Sequence, residues 1–69
     1  MWGKYPVLVH YEAGGYWAEF PDLEGCFSQG DTLDEVLSNA EEAKNAYLSS
    51  LRDRGEKIPE PSDLSLRFA

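Results

Sequence analysis

Cysteine, histidine and basic side chains are scarce in this chain: one Cys, one His, and 6 Lys and Arg against 13 Asp and Glu. A lone Cys26 excludes an internal disulfide framework and supplies neither a CxxC pair nor a set of zinc ligands. It has no adjacent cation to depress its pKa and reads as a packed, inert thiol. A reducing, cytoplasmic location is the natural expectation. His10, the sole imidazole, has no second histidine, and the sequence places no acid beside it with which to argue a triad or a metal site. No phosphate-binding spacing such as GxGxxG is present, and Gly25 and Gly30 are explained by turn geometry. No stretch approaches the roughly 18 apolar residues of a bilayer span, and Met1-Trp2-Gly3-Lys4 lacks the apolar run of a signal peptide. Neither a cofactor nor a membrane partner is expected.

The shortage of cations leaves a formal net charge of -7, with both signs spread along the chain. Such a field repels phosphate backbones, so direct nucleic-acid binding is disfavoured and a basic protein partner would be steered in. At 69 residues the chain has room for one domain over residues 1–69 and one small core. So small a core makes self-association, as a homodimer or a higher homo-oligomer, an expectation.

What is there alternates. From Tyr5 to Glu12, Tyr5, Val7, Val9 and Tyr11 fall on one side and Leu8, His10 and Glu12 on the other, the period of a half-buried strand. Gly14-Gly15 offers two positions that tolerate positive φ, as a two-residue hairpin turn requires, and Tyr16 to Phe20 returns antiparallel. In the simplest register Tyr11 opposes Ala18 and Val9 opposes Phe20, and a β-branched residue at Gly15 is expected to harm folding. Pro21 ends the second strand, Asp22-Leu23-Glu24-Gly25 reads as a turn with Leu23 plugging one end of the core, and Cys26 to Gln29 forms a short third strand.

Thr32-Leu33-Asp34-Glu35 is a capping box that opens a helix of about 22 residues. Leu33, Val36, Leu37, Ala40, Ala43, Tyr47, Leu48 and Leu51 mark its core face, with Asp34, Glu35, Glu41, Glu42, Lys44 and Arg52 on the remaining arc. Gly55 sits where a left-handed C-cap is wanted. Beyond Pro59 and Pro61, Leu64, Leu66 and Phe68 alternate with Ser65 and Arg67 as a fourth strand. A right-handed crossover then predicts an α+β fold, βββαβ, whose four-stranded mixed sheet has the order 3-2-1-4 and is covered on one face by the one long helix.

At this point the residues resemble a known family. The run Tyr16-Trp17-Ala18-Glu19-Phe20-Pro21-Asp22-Leu23-Glu24-Gly25-Cys26-Phe27-Ser28-Gln29-Gly30-Asp31-Thr32 is similar to the signature of HicB antitoxins. Asp34-Glu35 opening the helix, Asn39-Ala40 within it, and Gly55 followed by Ile58-Pro59 fit the same pattern. The resemblance implies a truncated ribonuclease-H-like fold that binds a small basic HicA-type toxin, an RNA-cleaving protein, and shields its catalytic histidine. Antitoxins of this kind usually carry a C-terminal DNA-binding module, and none is read in this chain.

An enzyme is not expected, because ribonuclease-H chemistry needs three or four carboxylates around two metals and the leading strand offers Val7, Leu8, Val9 and His10. The alternative is an orphan of the family with weak metal-dependent nuclease or ligand-binding activity, for which Glu12 and Glu19 are the available acids. The binding reading favours the uncovered sheet face, where Leu8, His10, Trp17 and Glu19 would lie, with Phe27 or Arg67 beside them. The adjoining Asp22 to Glu24 loop completes the candidate partner interface. Trp17 lying flat against its own strand is the bland alternative. The outer edges of strands three and four are a second candidate for self-association.

Overall fold

The computed structural model describes residues 4–61, so the expected fourth strand at Leu64 to Phe68 lies outside the described residues. The element order is β1 (Leu8–Glu12), β2 (Gly15–Glu19), β3 (Phe27–Gly30) and α1 (Leu33–Asp53). The strands form one antiparallel sheet with β2 in the centre, in the order β1-β2-β3. The expected neighbours of β2 are therefore present.

The hairpin register corrects the expected one by two residues. Glu12 pairs with Gly15, Tyr11 with Tyr16, His10 with Trp17 and Val9 with Ala18. The turn is Ala13-Gly14, with φ of 54° and 79°, so both central residues are left-handed. A left-handed alanine costs roughly 1–2 kcal/mol. It is offset by the cross-strand pairs that this register creates: the Tyr11 and Tyr16 rings lie 4.9 Å apart, and His10 stacks on Trp17. A shift of two preserves the side-chain parity, so the assignment of residues to faces survives. Gly15 is not left-handed, and a Cβ there would meet only the Gly30 carbonyl at 3.6 Å. The conformational requirement argued for Gly15 belongs to Gly14.

Phe20 to Cys26 forms two successive turns, with the Leu23 amide donating to the Phe20 carbonyl (3.0 Å) and the Cys26 amide to the Leu23 carbonyl (3.0 Å). Gly25, at φ 80°, supplies the left-handed corner of the second. Leu23 is fully buried, as its role of core plug requires.

At the helix start the Thr32 hydroxyl accepts from the Glu35 amide (3.1 Å), while the Glu35 carboxylate accepts from the Asp31 amide. At its end Gly55 is left-handed, its amide donating to the Arg52 carbonyl (3.0 Å) and that of Glu56 to the Leu51 carbonyl (2.9 Å), the two bonds of a Schellman motif. The buried stripe is Val36, Ala40, Lys44, Leu48 and Leu51. Two expectations are corrected here. Leu33 and Leu37 are 48% and 41% exposed, on the shoulder of this i, i+4 row. Lys44, assigned to the outer arc, lies in the row itself, its stem packed and its ammonium carried to Glu41 at 3.1 Å.

Gly30 is not a turn glycine. A Cβ built on it would lie 2.7 Å from the Val36 amide nitrogen and 3.0 Å from its Cα, so the missing side chain lets the first turn of α1 rest on β3. The Ser28 hydroxyl donating to the Val36 carbonyl (3.3 Å) and the Asn39 amide donating to the Gln29 carbonyl (2.8 Å) tie the same two elements. The core of Ala18, Phe20, Leu23, Cys26, Val36, Ala40, Leu48 and Leu51 fills the space between sheet and helix. Gly30→Ala should therefore destabilise the fold by about 1–3 kcal/mol, as overpacking against backbone does. A urea midpoint unchanged from the parent protein would contradict this contact.

Candidate functional site

Alternation fixes what the sheet shows on its two sides. Val9, Ala18 and Ser28 point toward α1, so their neighbours point away. Leu8, Glu19 and Phe27 form one cross-strand row on the open side and His10, Trp17 and Gln29 the next, followed by Glu12 opposite Gly15. Four of the expected interface residues, Leu8, His10, Trp17 and Glu19, thus stand together. Phe27 joins them, 59% exposed. Gln29, which the same period of two would have identified, had not been singled out. Arg67 lies outside the described residues.

The face is organised around Trp17. The His10 imidazole stacks on one side of the indole, with centroids 4.1 Å apart and planes 18° from parallel. Phe27 stands 6.2 Å away, inclined at 51°. The indole Nε1–H donates to Glu12 Oε1 at 2.8 Å, and His10 Nε2 meets Glu19 Oε2 at 2.8 Å. Trp17 is thus held by a ring and a carboxylate. Both pairs are partly exposed and give orientation more than stability. The two carboxylates serve different rings, and the described residues contain no group of three or more His, Cys, Asp or Glu side chains able to hold a metal ion.

The Asp22 to Glu24 loop divides between two sides of the fold. Glu24 is exposed and lines a recess with Glu19 and Phe27, at the rim of the open face. Asp22 lies toward Tyr5. Burial raises the Tyr5 pKa above its ordinary value, and the negative charges of Asp22 and Glu60 raise it further. The Tyr5 hydroxyl donates to the Pro59 carbonyl, joining the start of the chain to the segment after α1, a pairing 54 residues apart that no local pattern announces.

The outer edge of β3 is half closed. The Cys26 carbonyl accepts from the Phe20 amide, just past the end of the central strand, so the backbone groups of Phe27 and Gln29 turn outward, and Asn39 occupies the Gln29 carbonyl. Pairing with another strand at this edge would have to displace that amide.

Cys26 is buried, and desolvation raises its pKa. A raised folded-state value means that the unfolded chain ionises first. The stabilisation is present below the ordinary thiol pKa of about 8.5 and is lost as pH climbs through the folded value. Stability from urea titrations should fall on this alkaline limb, and Cys26→Ala should flatten the fall. Equal slopes for both proteins would contradict the assignment.

The family model described as "HicB_like antitoxin of bacterial toxin-antitoxin system" matches residues 5–68. UPF0150 protein Ta0767 of Thermoplasma acidophilum is 46% identical over 57 residues, covering 81% of this chain and 83% of that protein. Antitoxin HicB 1 of Photorhabdus laumondii is 39% identical over 59 residues, 84% of this chain but 38% of its own length. Among solved structures, a chain of the HicA3 and HicB3 toxin-antitoxin complex superposes with a TM-score of 0.77 at 33% identity, covering 90% of this chain and 73% of that one. The N-terminal domain of the Burkholderia pseudomallei antitoxin HicB gives 0.77 at 29% identity, covering 87% and 73%.

Proposed function

The chain belongs to the family of HicB-like antitoxins of bacterial toxin-antitoxin systems, and from that membership we propose that it works by occlusion. Its open sheet face covers a small basic toxin of the HicA type and bars that toxin from its RNA substrate. The observation that carries this reading is Trp17, braced by His10 and Glu12 on a face that α1 leaves bare. A fixed aromatic ringed by charge is the usual form of an interface anchor. The net charge of -7 favours a basic partner and disfavours nucleic acid. Superposition on a chain of the HicA3 and HicB3 complex supports the same class of partner.

In this reading the chain is a single domain acting in the cytoplasm, with Leu8, His10, Trp17, Glu19, Asp22 and Glu24 at the interface. Homodimerisation belongs to the same proposal, through surfaces other than the half-closed β3 edge.

Trp17→Ala should weaken binding to a HicA-type toxin encoded beside this gene by about 2 kcal/mol or more, with an unchanged circular dichroism spectrum. Calorimetric titration checks it. A toxin affinity equal to that of the parent protein would remove Trp17 from the interface.

A further inference from the structure

We propose that the side of Trp17 turned away from His10 seats an arginine side chain of the partner. The proposal rests on the reading of this face as the one that meets a partner, and it specifies the chemistry of the contact.

His10 covers one face of the indole. Because β2 lies between β1 and β3, the other face looks toward Phe27 and Gln29. Two adjoining recesses open there. One, of about 440 Å³, is walled by Trp17, Phe27, Ser28 and Gln29. The other, of about 730 Å³, shares Trp17 and Gln29 and is lined also by the acidic residues Glu12, Asp31 and Glu35, with no lysine or arginine among the described residues that line it.

An aromatic wall beside an excess of negative charge favours a cation that can also stack. The indole is tuned in the same direction, since donating its N–H to the Glu12 carboxylate raises the electron density of the ring. Guanidinium lies flat on such a ring while its in-plane N–H groups reach a carboxylate or the Gln29 amide oxygen. An ammonium is compact and strongly hydrated and gains less from the wall. An apolar anchor would desolvate the polar rim without replacing its hydrogen bonds. A second copy of this chain, with 13 acids to 6 bases, is a poor source of the cation, and a basic protein is a good one.

The test is a titration of the full chain, followed through the Trp17 indole N–H and Phe27 amide resonances, with the Nα-acetyl amides of arginine, lysine and citrulline. Arginine should move both signals and bind about 2–5-fold more tightly than citrulline, its uncharged isostere. Lysine should fall below arginine, and Phe27→Ala should weaken the arginine response. Equal binding of citrulline, or an arginine response confined to the exposed acids of α1, overturns the site. Equal binding of lysine overturns the stacking. If arginine leaves Trp17 untouched while Trp17→Ala still loses the toxin, this inference falls and the occlusion reading stands. If arginine binds there while Trp17→Ala keeps full toxin affinity, the recess stands and the occlusion reading of this face falls.

Discussion

The close approach of α1 to Gly30 is the contact on which the remaining arrangement depends. A Cβ at that position would lie 2.7 Å from the Val36 amide nitrogen, so only glycine lets the helix begin against the end of β3. Once the first turn is seated there, the i, i+4 row from Val36 to Leu48 is directed onto Ala18 and Phe20, and Leu23 closes the end of the core. A single helix can cover one side of a three-stranded sheet. Its choice of side is at once a choice of which residues are left bare.

Among the described residues that side is ordered without a covering layer. Trp17 is braced by His10 on one flank and by Glu12 at its indole nitrogen, and His10 is in turn held by Glu19. These contacts are too exposed to account for much of the stability. Their effect is to restrict rotamers before any partner arrives, which lowers the entropy lost on association. Stability therefore resides on the helix side of the sheet, and in the occlusion reading proposed above recognition falls to the other, so that a change on the open face would alter binding while leaving the fold intact.

Much of this was legible in the sequence because the signals are local. The period of two between Tyr5 and Glu12 assigned Leu8 and His10 to the open face, and parity kept that assignment although the register was displaced by two residues. The turn was misplaced because Gly14-Gly15 satisfies the positive-φ requirement better than Ala13-Gly14 does. Cross-strand pairing of aromatic residues decided between them, and that is a property of two strands together. Thr32, Glu35 and Gly55 cap the helix as their types demand. Lys44 was misjudged because charge alone was counted, whereas its long apolar stem can lie in a core row with the ammonium at the rim. The Tyr5 to Pro59 hydrogen bond, the Asn39 amide on Gln29 and the division of Asp22 from Glu24 depend on tertiary placement. Family resemblance conveyed what kind of partner to expect, while the geometry conveyed which atoms the open face exposes.

The central claim, that the sheet face opposite the helix meets the partner, is tested most directly by mapping backbone and indole resonances as a basic HicA-type toxin is added to the full chain. The account predicts that changes concentrate on Leu8, His10, Trp17, Glu19, Phe27 and Gln29 and fade toward the outer arc of α1. Changes centred on Asp34, Ser38, Glu42 and Asn45, with the Trp17 indole signal unmoved, would contradict it.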